Sequence, residues 1–144
     1  MALKNYSTLK TVTETVSDIH VILARHGAKK VMFDYDDKGE IVAIAFMIDG
    51  PNGPLAVKLP ANTDRVLQVL KKQKADPKNR SNIDCSPEQA QKVAWRIVKD
   101  WLDAQMAILE TEMVEMPQLF LPYFVNREGQ TLYEAYRAGR LLHE

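Results

Sequence analysis

The side chains that most often bind metals or act as nucleophiles are few in this sequence and lie far apart. It contains three histidines, His20, His26 and His143, and a single cysteine, Cys85. No two of them have the short helical spacing or the Cys/His clustering that zinc sites use. Cys85 has no partner in the sequence with which it would form an activated nucleophile. We therefore predict no metal site and no catalytic residue among them.

Two turns resemble ligand-binding loops but lack the residues that binding requires. An EF-hand loop beginning at Asp34 would place Ala45 where a bidentate glutamate is needed, and Lys38 at a ligand position. The segment Asp49–Pro54 has two glycines, but its two prolines remove amides that a phosphate cradle needs. No nucleophile-elbow motif is present. We expect a protein that is not an enzyme and has no cofactor.

The distribution of charge is the most informative feature of the sequence. Basic and acidic side chains both number 19, so the formal net charge is zero, which excludes a uniformly basic DNA coat. Basic residues nevertheless concentrate between Arg65 and Arg80, where only Asp76 opposes them, and they continue along the next predicted helix. The candidate nucleic-acid-binding residues are Arg65, Lys71, Lys72, Lys74, Lys78, Arg80, Lys92, Arg96 and Lys99.

Basic segments of this kind can bind phosphates, and such binding weakens as the salt concentration rises. The alternative interpretation is a solvated helix end followed by a flexible loop, because runs of charge usually form solvated faces. No aromatic residue lies between Lys58 and Lys92, although proteins that bind single strands usually stack bases on aromatic rings. The sequence thus leaves phosphate binding open and argues against base stacking.

The chain beyond the basic stretch is acidic and then apolar. No lysine or arginine occurs between Asp100 and Asn126, whereas five acidic residues do. A basic and an acidic end can pair between subunits, and methionines tolerate varied packing. We expect a homo-oligomer with its buried interface around Met113–Val125; the alternative is that this segment packs within its own chain. The candidate protein-interface residues are Met106, Met113, Met116, Leu119, Phe120, Tyr123 and Phe124.

The segments that carry these residues predict a helix followed by a β-meander. From Val12 to His26, apolar residues recur at spacings of four, three and four, which places them on one helical face. Lys30–Tyr35, Ile41–Ile48 and Leu55–Leu59 have the alternation or continuous apolar character of strands, and turn-forming residues separate them. We expect a three-stranded antiparallel sheet.

Helices are predicted to follow the sheet. Asn62–Lys74 has an apolar face, and residues 75–85 are polar and are expected to form a mobile loop. A long helix is predicted over residues 86–114, because serine at the cap and proline in the first turn are typical of a helix start. Residues 115–144 are expected to form an irregular apolar cap, broken by prolines, and a short final helix.

This order of elements predicts an α+β fold in a single domain spanning residues 1–144. The lone cysteine excludes an intrachain disulfide, which indicates a reducing compartment. The N-terminal residues lack the apolar segment of a signal peptide, and no apolar run approaches the roughly 18–20 residues of a membrane span. We expect a cytoplasmic protein that does not contact membranes.

Several short sequence segments occur in an order that is also found in a family of proteins. The first helix ends in RHGA, the long tryptophan-containing helix leads into ETEMVEMPQLFLPYFV, and N-x-x-G-x-T-L follows. This pattern, from Val12 to Leu142, resembles a family of small, largely uncharacterised proteins of phages and integrated mobile elements. The resemblance implies an early-region accessory protein encoded near replication and recombination functions, and it implies no particular site residues.

Three hypotheses about function follow, of which the third is a purely structural assembly subunit. The first is a non-enzymatic phage or mobile-element accessory protein that acts with DNA replication or recombination through the basic stretch. The alternative is a protein-binding inhibitor of host immunity, such as an anti-CRISPR protein, with a host defence protein as its partner. In that case Asp100–Glu115 or the turn Asp34–Glu40 would be the acidic surface that occupies a basic groove.

Overall fold

The computed structural model describes residues 2–79 and 82–139. It confirms the α+β class, with a helix, a three-stranded antiparallel sheet and further helices. A 3-10 turn, Leu121–Tyr123, separates the last two helices. The elements are α1 Val12–Arg25, β1 Lys30–Tyr35, β2 Ile41–Gly50, β3 Gly53–Pro60, α2 Thr63–Ala75, α3 Pro87–Glu110, α4 Met116–Phe120 and α5 Leu132–Arg137.

Helix α1 begins and ends where its local sequence predicts. The hydroxyl of Thr11 accepts a hydrogen bond from the Glu14 amide at 3.1 Å, which satisfies one of the free donors of the first turn. At the other end Gly27 has a φ of 92°, and the Ala28 amide donates to the Leu23 carbonyl at 3.0 Å. A glycine in the left-handed region ends a helix in this way because it has no Cβ to clash.

The sheet has the order β1-β2-β3, and both strand pairs are antiparallel. A two-residue loop joins β2 to β3, since Gly50 pairs with Gly53. Side chains alternate between the two faces of the sheet, and one of these faces is buried. The central strand, β2, contributes Ile44, Phe46 and Ile48 to the buried face. The other face carries alanines, methionines and charged residues, and most of its side chains are only partly buried or exposed.

The segment after α3 is more regular than the sequence indicates. Helix α3 ends at Glu110, before the expected boundary, and Glu112 has a φ of 60°. The expected irregular cap contains helix α4 and the 3-10 turn. Pro117 and Pro122 each lie in the first turn of one of these elements, where a missing amide costs nothing because it has no intrahelical acceptor.

The chain forms two compact units. The first comprises Met1–Ile22 and Ala61–Ala104, and the second comprises Leu23–Pro60 and Gln105–Glu144. In the first unit Leu70, Ile83, Ala90 and Val93 form a buried cluster. In the second unit the buried face of the sheet packs with Phe120, whose ring meets that of Phe46 edge-on at 5.4 Å. The single-domain organisation stays a prediction, and residues 140–144, which belong to the segment predicted as apolar cap and final helix, lie outside the described part of the chain.

Candidate nucleic-acid interface

Helix α2 carries four of the nine predicted basic residues and is anchored on one side only. Its N-terminus is capped by Asn62, whose side-chain oxygen accepts a hydrogen bond from the Arg65 amide at 3.2 Å. Leu70 is fully buried in the first unit's core, and Val66 and Leu67 pack against the same cluster. These three apolar residues lie on one face of the helix by their spacing, so the remaining faces are available to basic side chains.

Five of the predicted basic residues are exposed in and just after α2. Arg65 and Lys72 are seven residues apart, so they lie on the same helical face, away from Leu70. Lys78 follows in a turn, where its amide donates to the side chain of Asp76 at 2.9 Å. We call these residues the α2 basic group: Arg65, Lys71, Lys72, Lys74 and Lys78. The remaining candidate of this stretch, Arg80, lies outside the described residues.

No member of the α2 basic group forms an ion pair in the described part of the chain. Every ion pair found there, out to 4.0 Å, involves other basic residues. An unpaired ammonium or guanidinium group in water remains free to bind an external anion. The group therefore presents positive charge that no ion pair neutralises, although Lys74 also interacts with the carboxylate of Asp84.

The predicted basic residues of α3 are placed differently. The guanidinium of Arg96 donates to Asp18 at 3.1 Å, and its side chain is only 16% exposed. The ammonium group of Lys99 lies 2.6 Å from a carboxylate oxygen of Asp103, and that side chain is 20% exposed. These two cations form ion pairs within the first unit. Among the described residues, Lys92 is therefore the basic candidate of α3 that has no ion pair.

Lys92 and Lys74 share one acidic neighbour, Asp84. The pKa of Asp84 is lowered below its ordinary value, first because the Ser86 amide and hydroxyl donate hydrogen bonds to its carboxylate. The positive charges of Lys74 and Lys92 lower that pKa further. Both lysines therefore lie close enough to Asp84 for their positive charges to stabilise its carboxylate.

Three acidic residues of α3, Asp100, Asp103 and Glu110, are also paired within the chain. Asp100 accepts a hydrogen bond from the side chain of Asn5 at 2.8 Å and lies 3.6 Å from the ammonium group of Lys4. In the second unit, the side chain of Glu110 lies 3.3 Å from Nε2 of His26. Glu115 caps helix α4 through a capping box with Gln118. The charge separation seen along the sequence is thus partly resolved into local pairs.

The predicted protein-interface residues divide into core and surface. Met106 and Phe120 are buried in the second unit and contribute to its core. Phe124 forms an antiparallel bridge with Val57, so this segment lies along the outer edge of β3. Met113, in contrast, is 70% exposed. The remaining candidates, which are partly buried, are Met116, Leu119 and Tyr123.

The sequence did not indicate a shallow cleft in the second unit. It has a volume of about 230 Å³ and is lined by Lys58, Tyr123, Thr131, Tyr133 and Glu134. These residues come from three separate elements, so no local pattern reveals them. One local signal does exist: threonine followed three residues later by glutamate is a capping-box sequence, and residues 131 and 134 form that box at the start of α5.

Comparison with known proteins does not place the chain in a family: no family model, curated protein or solved structure matches it. Within residues 2–79 and 82–139, no three His, Cys, Asp or Glu side chains are grouped as a metal ion would require. Of the helices in those ranges, none is both long and apolar enough to cross a membrane. The surface chemistry of this α+β protein is therefore the feature that bears on its function.

Proposed function

We propose that this protein is a non-enzymatic accessory protein that binds nucleic acid through the α2 basic group. One observation carries the proposal: five exposed cations lie on one helix and its following turn, and none has a carboxylate within 4 Å among the described residues. The resemblance to phage and mobile-element early-region proteins supports a role alongside DNA replication or recombination.

The dimensions of α2 suit contact with a phosphate backbone. Its 13 residues span roughly 20 Å at 1.5 Å per residue, and duplex DNA carries about one negative charge per 1.7 Å of its axis. Lysine binds phosphate as a flexible point charge and does not need a fixed geometry. Because α2 has no aromatic residue, the contacts would be to phosphates rather than to stacked bases. We therefore expect binding without sequence preference.

The test compares two triple variants that lose the same charge. Lys71→Gln, Lys72→Gln and Lys74→Gln remove three cations from the α2 basic group. Lys29→Gln, Lys38→Gln and Arg127→Gln remove three exposed cations from the other compact unit. The affinity of each protein for duplex and single-stranded DNA is measured by fluorescence anisotropy across a series of salt concentrations, and circular dichroism verifies that each variant is folded.

We expect the α2 variant to bind duplex DNA at least tenfold more weakly at low salt, and the control to bind like the wild type. The slope of log affinity against log salt should become shallower by up to about 2.7, at about 0.9 per lost phosphate contact. No binding by the wild type at low salt would overturn the proposal. Equal losses in both triple variants would show that net charge, and not the α2 basic group, determines the affinity.

The alternative, a protein-binding inhibitor of host immunity, has less support from the surface. It requires free carboxylates, but Asp100 and Asp103 are paired with Lys4, Asn5 and Lys99. The exposed acids of the turn Asp34–Glu40 and the exposed Glu112 remain as candidates in the described chain. Affinity purification from the host with wild type and with an Asp36→Asn, Asp37→Asn variant tests it. A stoichiometric defence protein that binds only the wild type would favour this alternative.

A further inference from the structure

Strand β1 is an open edge of the sheet. It pairs with β2 on one side, and within the described residues no strand or bridge pairs with its other side. The opposite edge is different, because Val57 and Ala56 of β3 contact the chain at Phe124 and Val125. An open edge presents unpaired amides and carbonyls that can pair with a further strand.

The sequence of β1 is complementary to itself in an antiparallel arrangement. Lys30, Met32 and Asp34 lie on one face of the sheet, since side chains alternate along a strand. A two-fold axis beside Met32 would place Lys30 opposite Asp34 of the partner subunit, and Asp34 opposite Lys30 of the partner subunit. We propose that β1 pairs with β1 of a second copy of this chain, which joins the two sheets into one of six strands.

The residues on the other face of β1 fit the same register. With Met32 at the axis, Val31 would lie opposite Phe33 of the partner subunit, a pair of β-branched and aromatic side chains that favours strand association. A register centred on Phe33 would instead set Met32 against Asp34 of the partner subunit. A register shifted by an odd number of residues would place side chains from the buried face of one sheet beside side chains from the other, partly exposed face of the second sheet. The pattern of charge and apolarity thus selects one register.

The open face next to β1 has an apolar surface that a second copy would cover. Met32 is 61% exposed there. It borders a shallow groove of about 120 Å³ whose lining includes Lys30, Ala45, Met47 and Ala56. Asp34 on the same face already lies 3.6 Å from the ammonium group of Lys58, so Lys30 of the partner subunit would complete a charge triad. The inference does not depend on nucleic-acid binding, and it uses a different surface from Met113–Val125.

Cysteine cross-linking tests the position of the axis. In a Cys85→Ser background, Met32→Cys places two thiols across the proposed axis. Directly opposite residues of antiparallel strands have Cα atoms about 4.5–5.5 Å apart, within the range of about 4.4–6.8 Å that a disulfide spans. The control is Met113→Cys in the same background, because Met113 is at least as exposed as Met32 but lies in the other candidate interface. Oxidation followed by non-reducing electrophoresis measures dimer formation.

Charge reversal tests the pairing itself. Lys30→Asp places two carboxylates against each other at both ends of the paired strands, and Asp34→Lys does the same with two ammonium groups. Each variant alone should dimerise roughly tenfold or more weakly than the wild type, because two attractive pairs become repulsive. An equimolar mixture of the two variants restores an opposite-charge pair at both ends and should form a heterodimer. Sedimentation equilibrium measures the masses against the 16.4 kDa of one chain.

Three outcomes overturn the proposal. The first is a wild type that stays at the mass of one chain at the highest concentration studied. The second is a dimer that cross-links through residue 113 and not through residue 32. The third is a mixture of the two charge variants that associates no better than either alone. Rescue in the mixture also shows that both variants are folded, and loss of DNA binding in the α2 variant would leave these results unchanged.

Discussion

The guanidinium of Arg96 donates a hydrogen bond to a carboxylate oxygen of Asp18 at 3.1 Å, although the two residues are 78 positions apart in the sequence. The ion pair distinguishes Arg96 from basic residues such as Arg65, although the sequence suggests the same role for both. Arg96 is largely covered and neutralised within its own unit. Arg65, in contrast, is exposed, with no carboxylate within 4 Å in the described chain. The nearest acidic group thus decides whether a basic residue serves the fold or is available to a partner.

Replacing Arg96 should lower stability and leave DNA affinity unchanged. Arg96→Ala removes a charge-assisted hydrogen bond and the packing of a long side chain, and we expect a loss of about 1–2 kcal/mol. Arg65→Ala is the matched control and should change the free energy of unfolding by less than about 0.5 kcal/mol. Urea unfolding followed by circular dichroism measures both. A DNA affinity that falls more in Arg96→Ala than in Arg65→Ala would contradict this assignment.

Replacing Phe120 should unfold or strongly destabilise the protein. The side chain is fully buried against Phe46, so Phe120→Ala would leave a cavity and cost about 3–5 kcal/mol. The adjacent Leu121 is half exposed, and Leu121→Ala should cost less than about 1 kcal/mol. Thermal unfolding of the two variants provides the comparison. Similar losses in both would show that this segment does not pack as described.

The β2–β3 hairpin should not tolerate a side chain at residue 50. A Cβ there would lie 2.6 Å from Cδ1 of Leu55 and 2.9 Å from the carbonyl oxygen of Gly53, and the latter contact involves backbone. We expect Gly50→Ala to cost about 1–3 kcal/mol, as other overpacking changes do. Asn52→Ala, in the exposed loop of the same hairpin, is the control. Equal melting temperatures for the two variants would be evidence against this close approach.

The capping box of α5 predicts a pH dependence of stability. The Thr131 amide and hydroxyl donate hydrogen bonds that lower the pKa of Glu134 below its ordinary value of 4.5, and Lys58 lowers it further. A lowered carboxyl pKa gives stability that is present above the unfolded-state pKa and is lost as the pH falls through the folded-state pKa. This contribution should therefore disappear on acidification below about pH 4.5.

The Glu134→Gln variant isolates that contribution, because glutamine can still form the box but does not titrate. At neutral pH the wild type should be more stable than Glu134→Gln, by less than about 1 kcal/mol for so exposed a group. The two stabilities should converge in acid. Urea midpoints measured from neutral pH to about pH 2 give the difference, and a gap that stays constant over this range would count against the mechanism.

The sequence by itself determined the fold class, the three strands and the longer helices. The spacing of apolar residues located α1, and β1 was predicted from Lys30 to Tyr35 as the structure has it. Caps and turns such as Thr11 and Gly27 act within about four residues, so their effect can be read locally. Where local signals were ambiguous, as at the prolines of residues 115–125, the sequence predicted an irregular cap and the structure formed short helices.

Only the tertiary structure decided which side chains remain available. The sequence grouped nine basic residues into one candidate surface, whereas the folded chain pairs Arg96 and Lys99 and exposes the α2 basic group. It likewise grouped Phe120 with Met113, of which the first is buried and the second exposed. Ion pairing and burial join residues that are distant in sequence, and a local pattern holds no information on those distances. The 19 basic and 19 acidic residues give a net charge of zero, but only the fold decides which of these charges are paired and which are available to a partner.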